Sequence, residues 1–247
     1  CVLDAARSAG VRAVVHTSSV DAVYSGQPIV GGDESMPTPS HFPNTYCRTK
    51  AQAEQRVLAA HHPEATPRVV VLRLVGLYGE RDPYHLGQVL KMARGAPLVR
   101  IGDGTAKADH MYVGNAAHAL LVAAADLLGE AKGAGSIYFV TDHAPANFFD
   151  FVEPIVTGVG LRVLPWSLAL PQRLMWVLGA LLEAVAWCLG PLISWRPGLS
   201  RFAVDFVCQE ITCSSQRFRK ELGYTPKYSH REALDRTIAW FVRHPVA

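Results

Sequence analysis

Read as a succession of apolar and polar positions, the chain opens on "VLDAARSAG", with apolar or small residues at helical spacing and Gly10 placed for a left-handed C-cap. A β-branched run follows, "VRAVVHTSS", of the length expected for a buried parallel strand, ending at Ser18 and Ser19. The next stretch, "YSGQPIVGGDESMPTPSHFP", is rich in Gly, Pro and acidic residues and reads as a loop. Helical spacing returns from about Asn44 to Ala60, a turn sits at "HHPEATPR", and "VVVLRLVGLYG" reads as a second strong strand. Strand, helix and strand joined in this way predict a right-handed βαβ crossover in a parallel sheet.

The rhythm then changes. From Tyr84 to Leu128 the pattern predicts a helix, a short strand, a glycine turn, a second strand and another helix, and "GSIYFVTD" adds a further strand. From Phe148 the chain is mostly helical. Within it "LALPQRLMWVLGALLEAVAWCLGPLISW" is rich in Leu and Trp, whereas the closing segment from Ser214 reads as an ordinary amphipathic helix pair. The division this suggests is an α/β part over 1–147 and a helical part over 148–247.

Composition narrows the classes. A chain of 247 residues, 49% hydrophobic and 18% charged, can bury a sizeable core in one or two domains. Its net charge of +3 is dispersed, with no basic stripe interleaved with aromatics, which argues against nucleic acid as a partner. The cysteines Cys1, Cys47, Cys188, Cys208 and Cys213 form an odd, widely spaced set without a CxxC pair, as expected of reduced thiols in a reducing compartment. The chain starts on Cys1 within a helical pattern and shows no secretory signal, so it reads as cut from a longer protein.

One stretch carries chemistry. "NTYCRTKAQAEQ" places Tyr46 four residues before Lys50, one turn apart on the same helix face. A phenol titrates near ~10 and is a poor base at neutral pH, so an ammonium one turn away is expected to lower that value. The same lysine could hold a ribose hydroxyl, and Ser19, at the end of the preceding strand, could steady a substrate oxygen as charge develops on it. A Tyr-x-x-x-Lys match alone arises by chance in roughly one such chain in five. Its place after a parallel-type strand, where ligands bind in doubly wound sheets, is what gives it weight.

Together "VVHTSSVDAVYSGQ", "GDESMPTPSHFPNTYCRTKAQAEQRVL", "VVVLRLVGLYGERDP" and "RIGDGTAKADHMYVGNAAHALLVAA" resemble the extended short-chain dehydrogenase/reductases, nearest to the 3β-hydroxysteroid dehydrogenase group and its 42E branch. The resemblance covers essentially the whole chain. It implies a Rossmann-type doubly wound sheet, a catalytic trio at Ser19, Tyr46 and Lys50, and NAD, or NADP, held by Tyr46, Lys50, Leu74 and Val75. It further implies oxidation of a hydrophobic secondary alcohol, a sterol or steroid, with a homodimer left open. No counterpart of the family's glycine-rich turn is found, so the sheet is expected to lack its first βαβ units. Leu74 stands where the family often has proline and Gly114 where many members have aspartate.

Other features read more simply. "IGDGT" is followed by a strand-like "DHMYV" and not by a helix, which predicts a hairpin turn in place of a phosphate loop. No pair among the ten histidines has the spacing of a helical metal site with a third ligand nearby. Trp166, Trp176, Trp187 and Trp195 are balanced between ordinary core and a lipid-facing role. Residues 174–193 are long enough for a ~30 Å hydrocarbon core. Glu183 near the middle, costing roughly 2.5–3.5 kcal/mol there, and Gly190-Pro191 at the end favour a helix lying in the interface or roofing an apolar pocket. A buried helix hairpin is the alternative. Membrane association, at the endoplasmic reticulum, is the resulting expectation.

Two further functions compete with the dehydrogenase. A nucleotide-sugar epimerase or dehydratase would use the same trio, but Val20 and Asp21 follow Ser19 where such dehydratases carry Asp-Glu. The 160–199 region also offers only Arg162, Arg173 and Arg196 for a pyrophosphate. A membrane-bound scaffold that has lost catalysis is the third.

Overall fold

The computed structural model describes residues 2–62, 66–190 and 198–246, so Cys1, Pro191, Trp195 and Arg196 lie outside the described residues. In chain order the elements are α1 (Val2–Ser8), β1 (Ala13–Ser19), β2 (Ile29–Gly32), α2 (Thr45–Ala59), β3 (Arg68–Leu74), β4 (Gly76–Tyr78), α3 (Leu86–Gly95), β5 (His110–Tyr112), α4 (Val113–Leu128), β6 (Ile137–Val140), α5 (Phe148–Gly158), α6 (Gln172–Leu189), α7 (Arg201–Cys208), β7 (Ile211–Cys213), α8 (Gln216–Leu222) and α9 (His230–Arg243). They group into two compact units that interleave along the chain. One comprises Cys1–Gly79, Asp109–Ala144 and Thr212–Ala233, the other Glu80–Ala108, Pro145–Ile211 and Leu234–Ala247.

The first unit holds a parallel sheet in the order β1-β3-β6. The turn before β1 forms as the pattern predicts: Gly10 takes φ +66, and Val11 N–H donates to the Ala6 carbonyl at 2.9 Å. β3 is central, and Val69 to Leu72 have no exposure at all, which is why its sequence is a continuous apolar run and does not alternate. α2 packs Val57 against Val69 and Val71 of β3, while α4, lined by Ala116, Ala119 and Ala123, contacts β1 and β3. Small residues on that face let helix and sheet approach closely.

Three elements differ from the pattern-based expectation. "VVVLRLVGLYG" is two strands, because after Leu74 the chain leaves the main sheet and β4 pairs in parallel with β5. "IGDGT" is no hairpin: Ile101 bridges in parallel to Leu170, while β5 belongs to β4, so its flanks have different partners. The glycines serve a loop instead, with Gly104 at φ +78 where a Cβ would fall 2.8 Å from the Trp166 ring. Finally, the Gly-Pro-rich loop before α2 contains β2, whose Gly31 N–H donates to Thr212 Oγ1 at 2.8 Å. A partner about 180 residues away leaves no local periodicity to read.

In the second unit α3 and α7 pack on α5, and α6 packs on α7. Arg100 is its buried charge. It pairs with Asp150 at 3.0 Å and Glu153 at 2.8 Å, donates from Nε to the Leu164 carbonyl, and lies 4.7 Å from the centre of the Trp166 ring. Trp166 is therefore a structural residue. α6 is the opposite case, with Gly179 its one buried residue and Trp187 82% exposed, so the buried-hairpin alternative does not hold. Its Glu183 is neutralised by Arg201, whose Nε lies 2.7 Å and whose backbone N–H lies 2.8 Å from the carboxylate.

The stability of the first unit depends on buried carboxyl groups, Glu54 and Asp109 among them. Glu54 of α2 is 4% exposed and accepts from Arg73 Nε of β3 at 3.2 Å and from Ser18 Oγ of β1 at 2.8 Å. Glu54→Gln leaves the Arg73 guanidinium buried without a counter-charge, and urea denaturation should show a loss of about 3–5 kcal/mol. Replacing both residues together by apolar ones should restore most of it. Asp109, accepting from Cys213 N–H at 2.7 Å, is pushed up to about 6 by burial, with Asp142 acting in the same direction. A carboxyl whose folded value is raised contributes its stability below its unfolded value and loses it as pH rises through about 6. Relative to Asp109→Asn, the parent chain should therefore weaken by about 3 kcal/mol between pH ~4 and ~7 in chemical denaturation.

Candidate active site

The site forms where β1 ends and α2 begins. Asn44 caps α2, its Oδ1 accepting from Cys47 N–H at 2.9 Å, which fixes the first turn on which Tyr46 sits. One turn further, Lys50 reaches back to β1 and donates to the Thr17 carbonyl at 3.0 Å. Its ammonium lies 5.7 Å from the centre of the Tyr46 ring. Cys47, between them, is fully buried and turned inward, its thiol pushed up to about 11 by burial and by Asp21.

Consecutive serines at the end of β1 have separate roles. Ser18 is consumed by Glu54 in the buried network. Ser19 opens a single 3₁₀ turn, Val20–Ala22, and its hydroxyl donates to Asp21 Oδ2 at 2.7 Å while lying within hydrogen-bonding reach of the Tyr46 phenol. Register places Ser19 opposite Leu74 and Leu74 opposite Val140, so the ends of all three parallel strands line up here. Leu74 and Val75 are 5% exposed and form an apolar wall at the end of β3. Ser19, Leu74 and Val75 thus fall at this end of the sheet, and Tyr46 and Lys50 on the helix that follows β1.

The electrostatics run against one expectation. Tyr46 titrates above its ordinary range, not below it: burial is the main cause, Asp21 and Cys47 add to it, and a Ser19 hydroxyl turned towards the phenolate would oppose them. Lys50 does not reverse this, since its ammonium is engaged by the Thr17 carbonyl and faces the ring. A phenol in this setting is a proton donor at neutral pH. Sequence reasoning also missed Asp21 and Glu54 as parts of the site. An acidic residue two positions after Ser19 was the available signal for the first; the second, in the middle of α2, carried none.

Comparison with known proteins now adds to this geometry. The family model described as "3-beta hydroxysteroid dehydrogenase/isomerase family" matches residues 1–170. The chain belongs to that family. It is 32% identical over 254 residues to the short-chain dehydrogenase/reductase family 42E member 1 of Mus musculus, covering 98% of this chain and 63% of that protein. It is 31% identical over 243 residues to the decarboxylating sterol-4-alpha-carboxylate 3-dehydrogenase of Saccharomyces cerevisiae, with 97% and 68% covered. Among solved structures, the dTDP-glucose 4,6-dehydratase of Bacillus anthracis in complex with NAD superposes with a TM-score of 0.66 at 19% identity, over 98% of this chain and 65% of that one. The likeness establishes a Rossmann-type α/β fold. The chain spans about 63% of the mouse relative's length.

Proposed function

We propose that this family member is an NAD(P)-dependent oxidoreductase acting on the CH–OH group of a hydrophobic secondary alcohol, a sterol or 3β-hydroxysteroid. The observation that carries the reading is Ser19 within hydrogen-bonding reach of Tyr46, with Lys50 one turn on, at the C-terminal end of a parallel sheet. Such a site suits ligands of doubly wound folds. The relatives' names supply the substrate class: one is a sterol-4-alpha-carboxylate 3-dehydrogenase.

The residues fit a nicotinamide dinucleotide. An ammonium has three donors, and Lys50 commits one of them to Thr17, leaving two for ribose hydroxyls. Leu74 and Val75 supply an apolar wall suited to the nicotinamide. When bound, the cofactor would supply the hydride acceptor. Tyr46, in its deprotonated form, takes the alcohol proton as the carbon gives up hydride; in the reverse direction its phenol returns that proton to the carbonyl oxygen. Ser19, once its proton turns from Asp21, hydrogen-bonds the same oxygen and stabilises its partial charge. Residues 1–147 would carry this chemistry and 148–247 would bind the substrate and approach the membrane.

A membrane role for α6 rests on its surface. The helix spans 18 residues with a mean hydropathy of 1.3, and 6% of it is buried. Leu174, Val177, Leu178, Leu181, Val185 and Trp187 are all exposed on it. With Glu183 already paired to Arg201, insertion into an interface does not strand a lone charge. Such placement would hold the chain at an endoplasmic-reticulum-type membrane, where a hydrophobic alcohol dissolves.

Tyr46→Phe should lower NAD-linked oxidation of a 3β-hydroxysterol by about 10²–10⁴-fold while retaining cofactor binding by fluorescence titration. Oxidation by the parent enzyme should rise with pH on the alkaline side, because Tyr46 is held protonated above its usual range. Turnover of a nucleotide-sugar in place of the sterol would transfer the assignment to the epimerase or dehydratase class. Separately, the protein should sediment with phospholipid vesicles, and replacing Leu181 and Trp187 by serine should reduce the bound fraction several-fold; equal binding by that variant would dismiss α6 as the contact.

A further inference from the structure

Asp21 has no place in the trio, yet it touches or faces the groups that surround the reacting phenol. Its Oδ2 accepts the Ser19 hydroxyl at 2.7 Å, its backbone N–H donates to the same Ser19 oxygen at 3.2 Å, and its Oδ1 accepts from the Cys47 thiol at 3.8 Å. Cys47 is the fully buried neighbour of Tyr46 on α2. One carboxylate therefore joins the end of β1 to the first turn of α2. It sits in the Val20–Ala22 turn, where the Tyr24 N–H closes onto its carbonyl at 3.3 Å.

The consequence follows from counting protons. A serine hydroxyl has one proton to give. While that proton is held by Asp21, Ser19 presents only lone pairs to Tyr46, so the Tyr46 O–H becomes the donor of the pair. A Tyr46 phenolate would need the Ser19 proton turned towards it and would have to take it from a carboxylate. The cost adds to the direct repulsion between two anions.

We propose that Asp21 is the positioning residue of this site: by capturing the one proton of Ser19 it orients that hydroxyl and keeps Tyr46 in its proton-donating form. The inference rests on the reading of Ser19 and Tyr46 as the acid-base pair. The raised titration of Tyr46 agrees with it, with Asp21 among the causes after burial. The charged and titratable groups facing Tyr46 are Asp21 from the 3₁₀ turn, together with Cys47 and Lys50 from its own helix. Of these, the Lys50 ammonium is bound to Thr17 and the Cys47 thiol is protonated far above neutral pH, so Asp21 supplies the negative charge that faces the phenol.

The test follows the Tyr46 titration directly. With tyrosine labelled at the ring carbon bearing oxygen, the Tyr46 resonance is the one lost in Tyr46→Phe, and its pH midpoint is read by NMR without turnover. Asp21→Asn should lower that midpoint by about one pH unit, and Asp21→Glu, which restores the charge, should bring it back toward the parent value. In a Ser19→Ala background the Asp21→Asn shift should shrink to less than half, because the proton through which Asp21 acts is gone. Neutral and charged variants that titrate alike would overturn the proposal, as would an undiminished shift without Ser19. Failure of the acid-base reading itself would appear elsewhere, as unchanged turnover in Tyr46→Phe.

Discussion

Glu54 of α2 accepts from Arg73 of β3 and from Ser18 of β1, and this buried bond set ties the helix to two strands at once. Tyr46 and Lys50 lie on the same helix, about two turns and about one turn before Glu54 respectively. Holding the helix at Glu54 therefore fixes where the phenol and the ammonium stand relative to Ser19. A guanidinium stacked 5.2 Å from the Phe139 ring extends the tie to β6, so all three parallel strands share the anchor. The arrangement is polar in the middle of an apolar core, and its value lies in geometry: an apolar contact would allow the helix to slide, whereas a carboxylate with fixed donors does not.

The site at the open end of this sheet is chemically divided. On one side are Lys50 and the backbone of β1, on the other Asp21 and the buried Cys47. Tyr46 stands between a cation that binds the strand and an anion that binds the serine, and burial tips the balance toward the protonated phenol. That balance decides at which pH the Tyr46 hydroxyl holds its proton. The second unit is built differently, around Arg100 and its two carboxylates, and it presents α6 with its apolar side chains to solvent.

Much of this was legible in the residues, and for identifiable reasons. α2 is bounded by Asn44, a side chain that caps, and the turn after α1 uses Gly10, which tolerates its φ without strain; both are local signals. β3 is a continuous apolar run because both faces are covered. The Tyr46–Lys50 spacing is a property of the helix itself, so it needed no tertiary knowledge. By contrast, β2 finds its partner in the region of Thr212, β4 departs from the sheet at Leu74 to meet β5, and the glycine-rich "IGDGT" folds beneath Trp166. None of these partners is near in sequence.

The sequence by itself determined the parallel βαβ core, the position of Ser19 at a strand end, and the placement of Tyr46 and Lys50 on one helix face, because periodicity, capping and helical spacing act over a few residues. The tertiary structure decided how the two serines divide, since Glu54 takes the Ser18 hydroxyl and Asp21 that of Ser19. It also decided the direction in which Tyr46 titrates. Spacing brought Lys50 close and suggested a lowered value, but burial and the Asp21 carboxylate prevail, and both depend on which groups the fold gathers around the phenol.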